Sequence, residues 1–337
     1  MASVFLGIND RTFTYESTAA RAEHVGAGVR YPMDFALTTE DIAYIINRGR
    51  EDRPDGTRLT IMKLGEGGEE YISTFGSYGE EPGQFIWPAG IALDRNTNVY
   101  VTDEWLHRVT KYNKDGEYVT HWGTQGSGDG ELNRPSGIAI NREDTLYIVD
   151  SRNDRLQKFS LDGKFESSFG ESGDKAGQFN MPWGIGLDND GNIYVTDWRN
   201  DRIQQFNSDG EWQATFGTSG TAVGQFNRPN SVSVDTDGDI YVSDWLNDRI
   251  QILAPDGRFI TQLTGDHVLS QWGRDKMSSN PDMIRQRQLA ITHSADFDKN
   301  FSHPTAVKVN SEGQVVILDS TRGRLQVYTK NSEPVLI

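Results

Sequence analysis

In a chain of 337 residues, 33 Lys and Arg face 49 Asp and Glu for a formal net charge of −16, which disfavours non-specific binding to nucleic acid or anionic lipid. The absence of cysteine excludes disulfides, zinc-thiolate centres and thiol nucleophiles. No apolar run approaches the roughly 18 residues of a membrane span, and the opening MASVFLGINDRT lacks a basic segment followed by a long apolar one, so the expectation is a cytoplasmic protein without a secretory signal and with neither nucleic acid nor membrane as partner.

The first element in chain order is the run Arg11 to Glu16, RTFTYE, which alternates as a strand does but has no neighbouring unit of its own. From Pro32 onward one unit repeats. A QFxxP-type segment ends in proline, an apolar run such as GIALD, GIAIN, GIGLD or SVSVD follows, and then comes a hairpin of the type YVTDWRNDRIQQF, from Tyr194 to Phe206. Its counterparts are YVTDEWLHRVTKY from Tyr100, YIVDSRNDRLQKF from Tyr147, YVSDWLNDRIQIL from Tyr241 and VILDSTRGRLQVY from Val316. An outer run closing on Phe-Gly or Trp-Gly completes the unit.

The prolines fall at 32, 88, 135, 182, 229 and 304, so successive gaps by subtraction are 56, 47, 47, 47 and 75 residues. Alternating apolar runs broken by Asp-Gly and Asn-Asp-Gly turns make four short strands per unit. Six such units predict one all-β domain over 1–337, a six-bladed β-propeller in which each blade packs against its neighbours. The last unit runs out near Tyr328, and RTFTYE is expected to supply its outer strand and close the ring.

The consensus PxGIAxDxxGNIYVTDxxNDRIQxF resembles the NHL repeat, over nearly the whole chain. The resemblance implies the six-bladed fold. It leaves function open, because such propellers serve as protein or RNA docking modules, as sensors, and as the scaffold of the peptidyl-hydroxyglycine amidating lyase. An RNA-binding propeller is expected to carry a broad basic surface, which this composition does not suggest.

What recurs separates from what varies. Asp103, Asp150, Asp197, Asp244 and Asp319 each stand five residues before an arginine, Arg108, Arg155, Arg202, Arg249 and Arg324. Repetition at equivalent places argues for a staple inside each blade, not for catalysis. The start of a blade's first strand and the end of its second lie at one end of the ring, so residues beside the prolines and just after the aspartates share a face. That face gathers Trp87, Arg134, Trp183, Arg228, Asn230, Arg152, Trp198, Arg199 and Trp245, together with Arg48 and Glu104. Tryptophan and arginine dominate binding hot spots, and clustered guanidiniums suit a carboxylate or phosphate. The plainer reading is that the indoles plug the channel while the arginines pair with neighbouring acids.

Two gaps are enlarged. The first carries the hairpin NRGREDRPDGTR, with Asn47 where other units have Asp. The second, about 266–300, holds 28 extra residues, 75 minus 47, and Asn280 followed by Pro281 signals a helix start. Leaving the ring near the mouth, it reads as a lid, a docking piece or a surface loop. Its end, THSADFDKNFSHP, places His293, Asp296, Asp298 and His303 close together, so His293 and His303 are candidate ligands for a divalent metal, the one cofactor these residues admit. The turns from Asp188 and Asp235 look like half a calcium loop without its distal glutamate and read as ordinary turns.

His107 is the nonrepeating member of its hairpin and a candidate acid or base. The amidating lyase holds its zinc with histidines that follow the blade prolines. The matching residues here are Met33, Ala89, Ser136, Trp183, Asn230 and Thr305, so that activity does not transfer. Two functions stay open. One is a monomeric binding module whose Trp and Arg mouth takes an anionic small molecule, a peptide or a protein. The other is a metal-assisted lyase or hydrolase at the same mouth, with His107, His303, Glu104 or Asp34 acting beside the arginines.

Overall fold

The computed structural model describes residues 4–6, 11–23, 28–49, 54–65, 69–266, 269–278, 281–293, 299–310 and 312–331. Six antiparallel sheets form a six-bladed β-propeller. Blade 4, for example, runs outward through Ile185–Leu187, Ile193–Asp197, Arg202–Phe206 and Trp212–Phe216. The expected closure forms. Thr12–Ala19 pairs along Arg324–Asn331, with Thr12 opposite Asn331 and Ala19 opposite Leu325. Val4–Leu6 adds a fifth strand outside it, beyond what the sequence pattern predicted.

Each part of the repeat has a physical task. The glycines after the blade prolines let innermost strands converge: a Cβ on Gly90 would stand 2.3 Å from the Ser136 carbonyl, and one on Gly184 2.3 Å from that of Asn230. The residue three before each proline is buried in every blade, as Val29, Phe85, Leu132, Phe179, Phe226 and Phe301. Wedged between blades, such a side chain contributes on the order of 1.5–3 kcal/mol. Neighbouring blades share apolar cores, as where Tyr194 and Ile203 meet Val232, Ile240 and Val242.

The Asp to Arg staple forms in four blades, at 2.9 Å for Asp150 and Arg155, 2.8 Å for Asp197 and Arg202, 2.7 Å for Asp244 and Arg249, and 2.8 Å for Asp319 and Arg324. Asp197 also accepts from Asn180 N–H, Asn200 Nδ2 and Gln204 Nε2. Arg202 reaches on to the carbonyls of Asp174, Lys175 and Gln178, so one buried network ties the hairpin to the loop entering its blade. Burial pushes the Asp197 carboxyl up, against the pull of these donors.

The expected fifth staple is not an ion pair. Asp103 instead accepts the backbone N–H groups of Ile86, Trp87, Trp105 and Leu106, while Arg108 donates to the carbonyls of Glu80, Glu81 and Gln84. Leu106 and Thr110 stand where the hairpins of blades 3 to 5 have Asn and Gln, so the side-chain donors that hold the carboxylate in those blades are missing. In blade 1, Asn47 takes the carboxylate's place as both acceptor, from Arg30 N–H, and donor, to Thr60.

A second device links successive blades. The backbone N–H of Met181 donates to Asp154 at 2.6 Å, that of Arg228 to Asp201 at 2.8 Å and that of His303 to Asp248 at 2.7 Å. All six residues are left-handed, with φ between 52° and 57°. Asp tolerates that conformation better than most residues do, and its short side chain reaches the next blade's entry.

The insertion contains α1, Gln271–Ser278, and α2, Pro281–His293. Pro281 opens α2 as expected, while Asn280 lies outside the described residues. Trp272 N–H donates to Glu69 Oε1 at 2.6 Å, Arg21 Nη1 donates to the Trp272 carbonyl at 2.8 Å, and Lys276 meets Glu23 at 2.6 Å. These contacts, with Trp272 against the Ala19, Leu64 and Val327 cluster, seat α1 on the flank of blades 6 and 1. Among the described residues, no helix is long and apolar enough to cross a membrane.

Candidate functional site

Pro135 opposite Asp150 and Pro229 opposite Asp244 place the proline ends and the hairpin turns on one rim, as the strand directions required. There Trp183, Trp198, Trp245 and His303 form a continuous row, with successive ring centroids 6.4, 6.2 and 5.4 Å apart. The Arg228 guanidinium lies 4.6 Å over Trp198, and its Nη1 is 4.0 Å from Asp201. Across the rim, Trp87 sits between the guanidiniums of Arg48, at 5.7 Å, and Arg134, at 5.6 Å, with Trp105 edge-on at 5.0 Å. Stacking of this kind holds an arginine at about 0.5–1 kcal/mol while leaving its N–H fork to other partners.

Counter-charges are unevenly distributed. Glu104 is buried and ion-paired with Arg48. Arg134 and the exposed Arg152 and Arg199 make no ion pair among the described residues. Thus the plainer expectation, arginines neutralised by neighbouring acids, holds for Arg48 and only loosely for Arg228.

Other predicted positions lie deeper. Trp183 and the buried Asn230 line a throat of about 20 Å³ in the channel, and Asn230 Nδ2 donates to the Thr305 carbonyl across the inner strands. Asp34 lines the same throat, 3.3 Å from Lys308 Nζ and accepting from Ile91 N–H, so the structure draws it into the channel wall. His107 does repeat, in role if not in residue type: its Nδ1 accepts the Arg134 N–H at 3.1 Å, as the aspartates do in the later blades, and both residues have φ of 53°. With Nδ1 accepting, the ring proton sits on Nε2. Burial and the Arg134 charge push the imidazole down from its ordinary value, which keeps it neutral at pH 7.

Of the proposed metal ligands, only His303 has a described side chain. His303 packs on Trp245, with Nδ1 3.4 Å from the Thr321 hydroxyl, while the side chain of His293, like Asp296 and Asp298, lies outside the described residues. Among the described residues the one grouping with metal-like convergence is Asp235, Asp237 and Asp239, on the opposite face. A lysine stands where a cation would: Lys330 Nζ lies 2.6, 2.6 and 2.8 Å from the three carboxylates, with Arg11 3.0 Å from Asp239. The turn from Asp235 is therefore an ordinary Asx turn, two of whose three clustered charges are offset by Lys330 and Arg11.

That opposite face also holds hollows the sequence did not reveal. One of 670 Å³ lies among the turns near Thr38, Asp94, Arg142 and Asp188, and one of 440 Å³ enters the channel past Leu93, Ile140, Leu187 and Lys308. Neither is lined by tryptophan. The Arg95 to Asp144 contact at 3.8 Å and the Arg142 to Asn189 bond at 2.8 Å occupy the arginines of the larger one. On the Trp and Arg rim a cleft of 380 Å³ opens at Glu104, Trp105, His107, Gln125, Asn133 and Arg134.

Comparison with known families matches residues 92–169 to a 6-bladed beta-propeller family and residues 179–206, 226–253 and 301–328 to the NHL repeat. No curated protein matches the chain by sequence. Among solved structures it is similar to an auxiliary nutrient binding protein from Bacteroides thetaiotaomicron, at 12% identity and a TM-score of 0.63 over 98% of this chain and 77% of that one. A protein of unknown function from the same organism gives 19% identity and 0.62 over 95% and 76%. Virginiamycin B lyase from Staphylococcus aureus gives 12% and 0.55 over 95% and 99%. At such identities these likenesses establish the fold alone.

Proposed function

We propose, from the premise that this chain is an NHL-type six-bladed β-propeller, that it is a binding module whose Trp and Arg rim captures an anionic ligand, a small molecule or an acidic peptide. One observation carries the reading. Arg134, Arg152 and Arg199 stand on the rim without ion pairs among the described residues, Arg134 over the face of Trp87, and the rim's indoles present apolar area at low entropic cost. In so acidic a chain, cations left unpaired on one rim favour an external counter-charge. The hollows of the opposite face lack tryptophan, and the arginines of the larger one are engaged within the ring.

The enzyme reading draws support from the lyase-like neighbour only at the level of fold, and no metal cluster or nucleophile pair among the described residues of the rim favours it. Calorimetric titration with citrate and with inorganic phosphate tests the proposal. Trp183→Ala and Arg228→Ala are each expected to abolish capture while the ring stays folded. Unchanged binding in both variants would move the site elsewhere.

A further inference from the structure

Four inter-blade clasps share one geometry, and one differs in chemistry. Asp154, Asp201 and Asp248 accept the backbone N–H of the residue before the next blade's proline, and each brings a carboxylate to that position. Between blades 2 and 3 the acceptor is the neutral imidazole of His107. The consequence falls on the residue clasped. Arg228, clasped by Asp201, has that carboxylate 4.0 Å from its guanidinium. Arg134, clasped by His107, has no such counter-charge and keeps only the face of Trp87.

Arg134 and His107 both line the 380 Å³ cleft on the rim. The rest of the lining is rich in donors: the amides of Gln125 and Asn133 and the indole of Trp105. Its one carboxylate, Glu104, is neutralised by Arg48. Because Nδ1 of His107 is committed to the Arg134 N–H, the free nitrogen is a donor. A cleft with one unpaired guanidinium, an imidazole N–H and no free carboxylate is complementary to an oxyanion.

We propose that this cleft is the oxyanion seat of the rim, taking a carboxylate or phosphate group on the Arg134 guanidinium and the His107 Nε2–H; the inference rests on the binding-module reading and locates its anchoring subsite. His107 is then a specificity residue. It preserves the clasp that aspartate makes elsewhere while removing the charge that would repel the ligand.

The repeat itself supplies the test, because His107→Asp restores the residue used in the later blades. The variant keeps a clasp acceptor and sets a carboxylate beside Arg134. It is expected to hold its melting temperature to within about 2 °C and to weaken binding of inorganic phosphate and acetate about tenfold or more. Arg134→Gln, which leaves the clasp untouched, is expected to weaken it similarly. In the wild type, the imidazole nitrogen resonances of His107 should shift saturably with either probe. A response to acetate but not phosphate supports a carboxylate seat, and the reverse a phosphate seat. Wild-type affinity in both His107→Asp and Arg134→Gln, with loss in Arg228→Ala, would overturn this seat and leave the rim reading standing. No saturable response of the wild type at either His107 or the Trp198 indole would remove both.

Discussion

Asp248 Oδ1 accepts the backbone N–H of His303 at 2.7 Å although 55 residues separate them, whereas the equivalent bonds from Asp154 and Asp201 span 27. The difference is 28 residues, the whole length of the insertion. The chain therefore leaves and re-enters the ring without disturbing the contact between blades 5 and 6.

Excision of the insertion, with the 47-residue spacing restored, should leave a folded propeller. What is lost is the packing of Trp272 and a few polar contacts on the flank, on the order of 2–4 kcal/mol. Far-ultraviolet circular dichroism is expected to keep its β spectrum, with a modestly lower melting temperature. Loss of a cooperative transition would mean that the helices take part in closing the ring.

The clasps can be weighed individually. Asp154→Ala leaves the half-buried Met181 N–H without its acceptor and is expected to cost about 1–2 kcal/mol, whereas Asp154→Asn keeps an oxygen at the same place and should cost less. Equilibrium urea denaturation of the two variants distinguishes them, and equal losses would show that the bond contributes nothing.

The staple stabilises each blade more strongly than a clasp does. Asp197 is fully buried and holds four donors, so Asp197→Ala removes the counter-charge of Arg202 and the acceptor of the Asn180 N–H, at a cost of about 3–5 kcal/mol. Asp197→Asn can still accept from Asn180 N–H and is expected to fall between. A destabilisation below that of Asp154→Ala, measured by the same denaturation, would contradict the buried network.

Lys330 gives a pH prediction. Burial alone would lower its pKa, but hydrogen bonds to Asp235, Asp237 and Asp239 outweigh that and raise it above 10.5. The folded value exceeds the unfolded one, so its stabilisation is whole below about pH 10.5 and is lost as pH rises through the folded value. Wild-type melting temperature should fall over that alkaline window, and Lys330→Met, with three carboxylates left facing one another, should be destabilised at pH 7 and lack the alkaline step. A parallel pH profile in the variant would sink this account of Lys330.

The repeat logic made the ring legible, because Pro, Gly, the buried aromatic and the Asp to Arg hairpin recur at fixed spacing, and each answers a demand of packing between blades. Ring closure by RTFTYE was readable because its alternation had no other partner. Readings taken one residue at a time fared less well. Asp103 has no staple in a hairpin that lacks the Asn and Gln of blades 3 to 5, a signal present in the hairpin but requiring comparison with its siblings. His107 looked exceptional for the same reason in reverse: the register of the repeat aligns it with Asp154, Asp201 and Asp248, but nothing in one hairpin says that its side chain reaches the next blade. The placement of α1 on the flank, Lys330 among the three aspartates and the hollows of the opposite face depend on long-range contacts that local pattern does not encode.

The eight tryptophans provide the most direct measurement of where the ligand sits. Trp87, Trp105, Trp183, Trp198 and Trp245 lie on the rim, while Trp122 and Trp212 are on outer strands and Trp272 is on α1. In a proton–nitrogen correlation spectrum titrated with citrate or inorganic phosphate, the rim indoles are expected to shift saturably while Trp122, Trp212 and Trp272 hold still. Saturation confined to the latter three, or resonances unmoved throughout, would contradict a rim that binds anions.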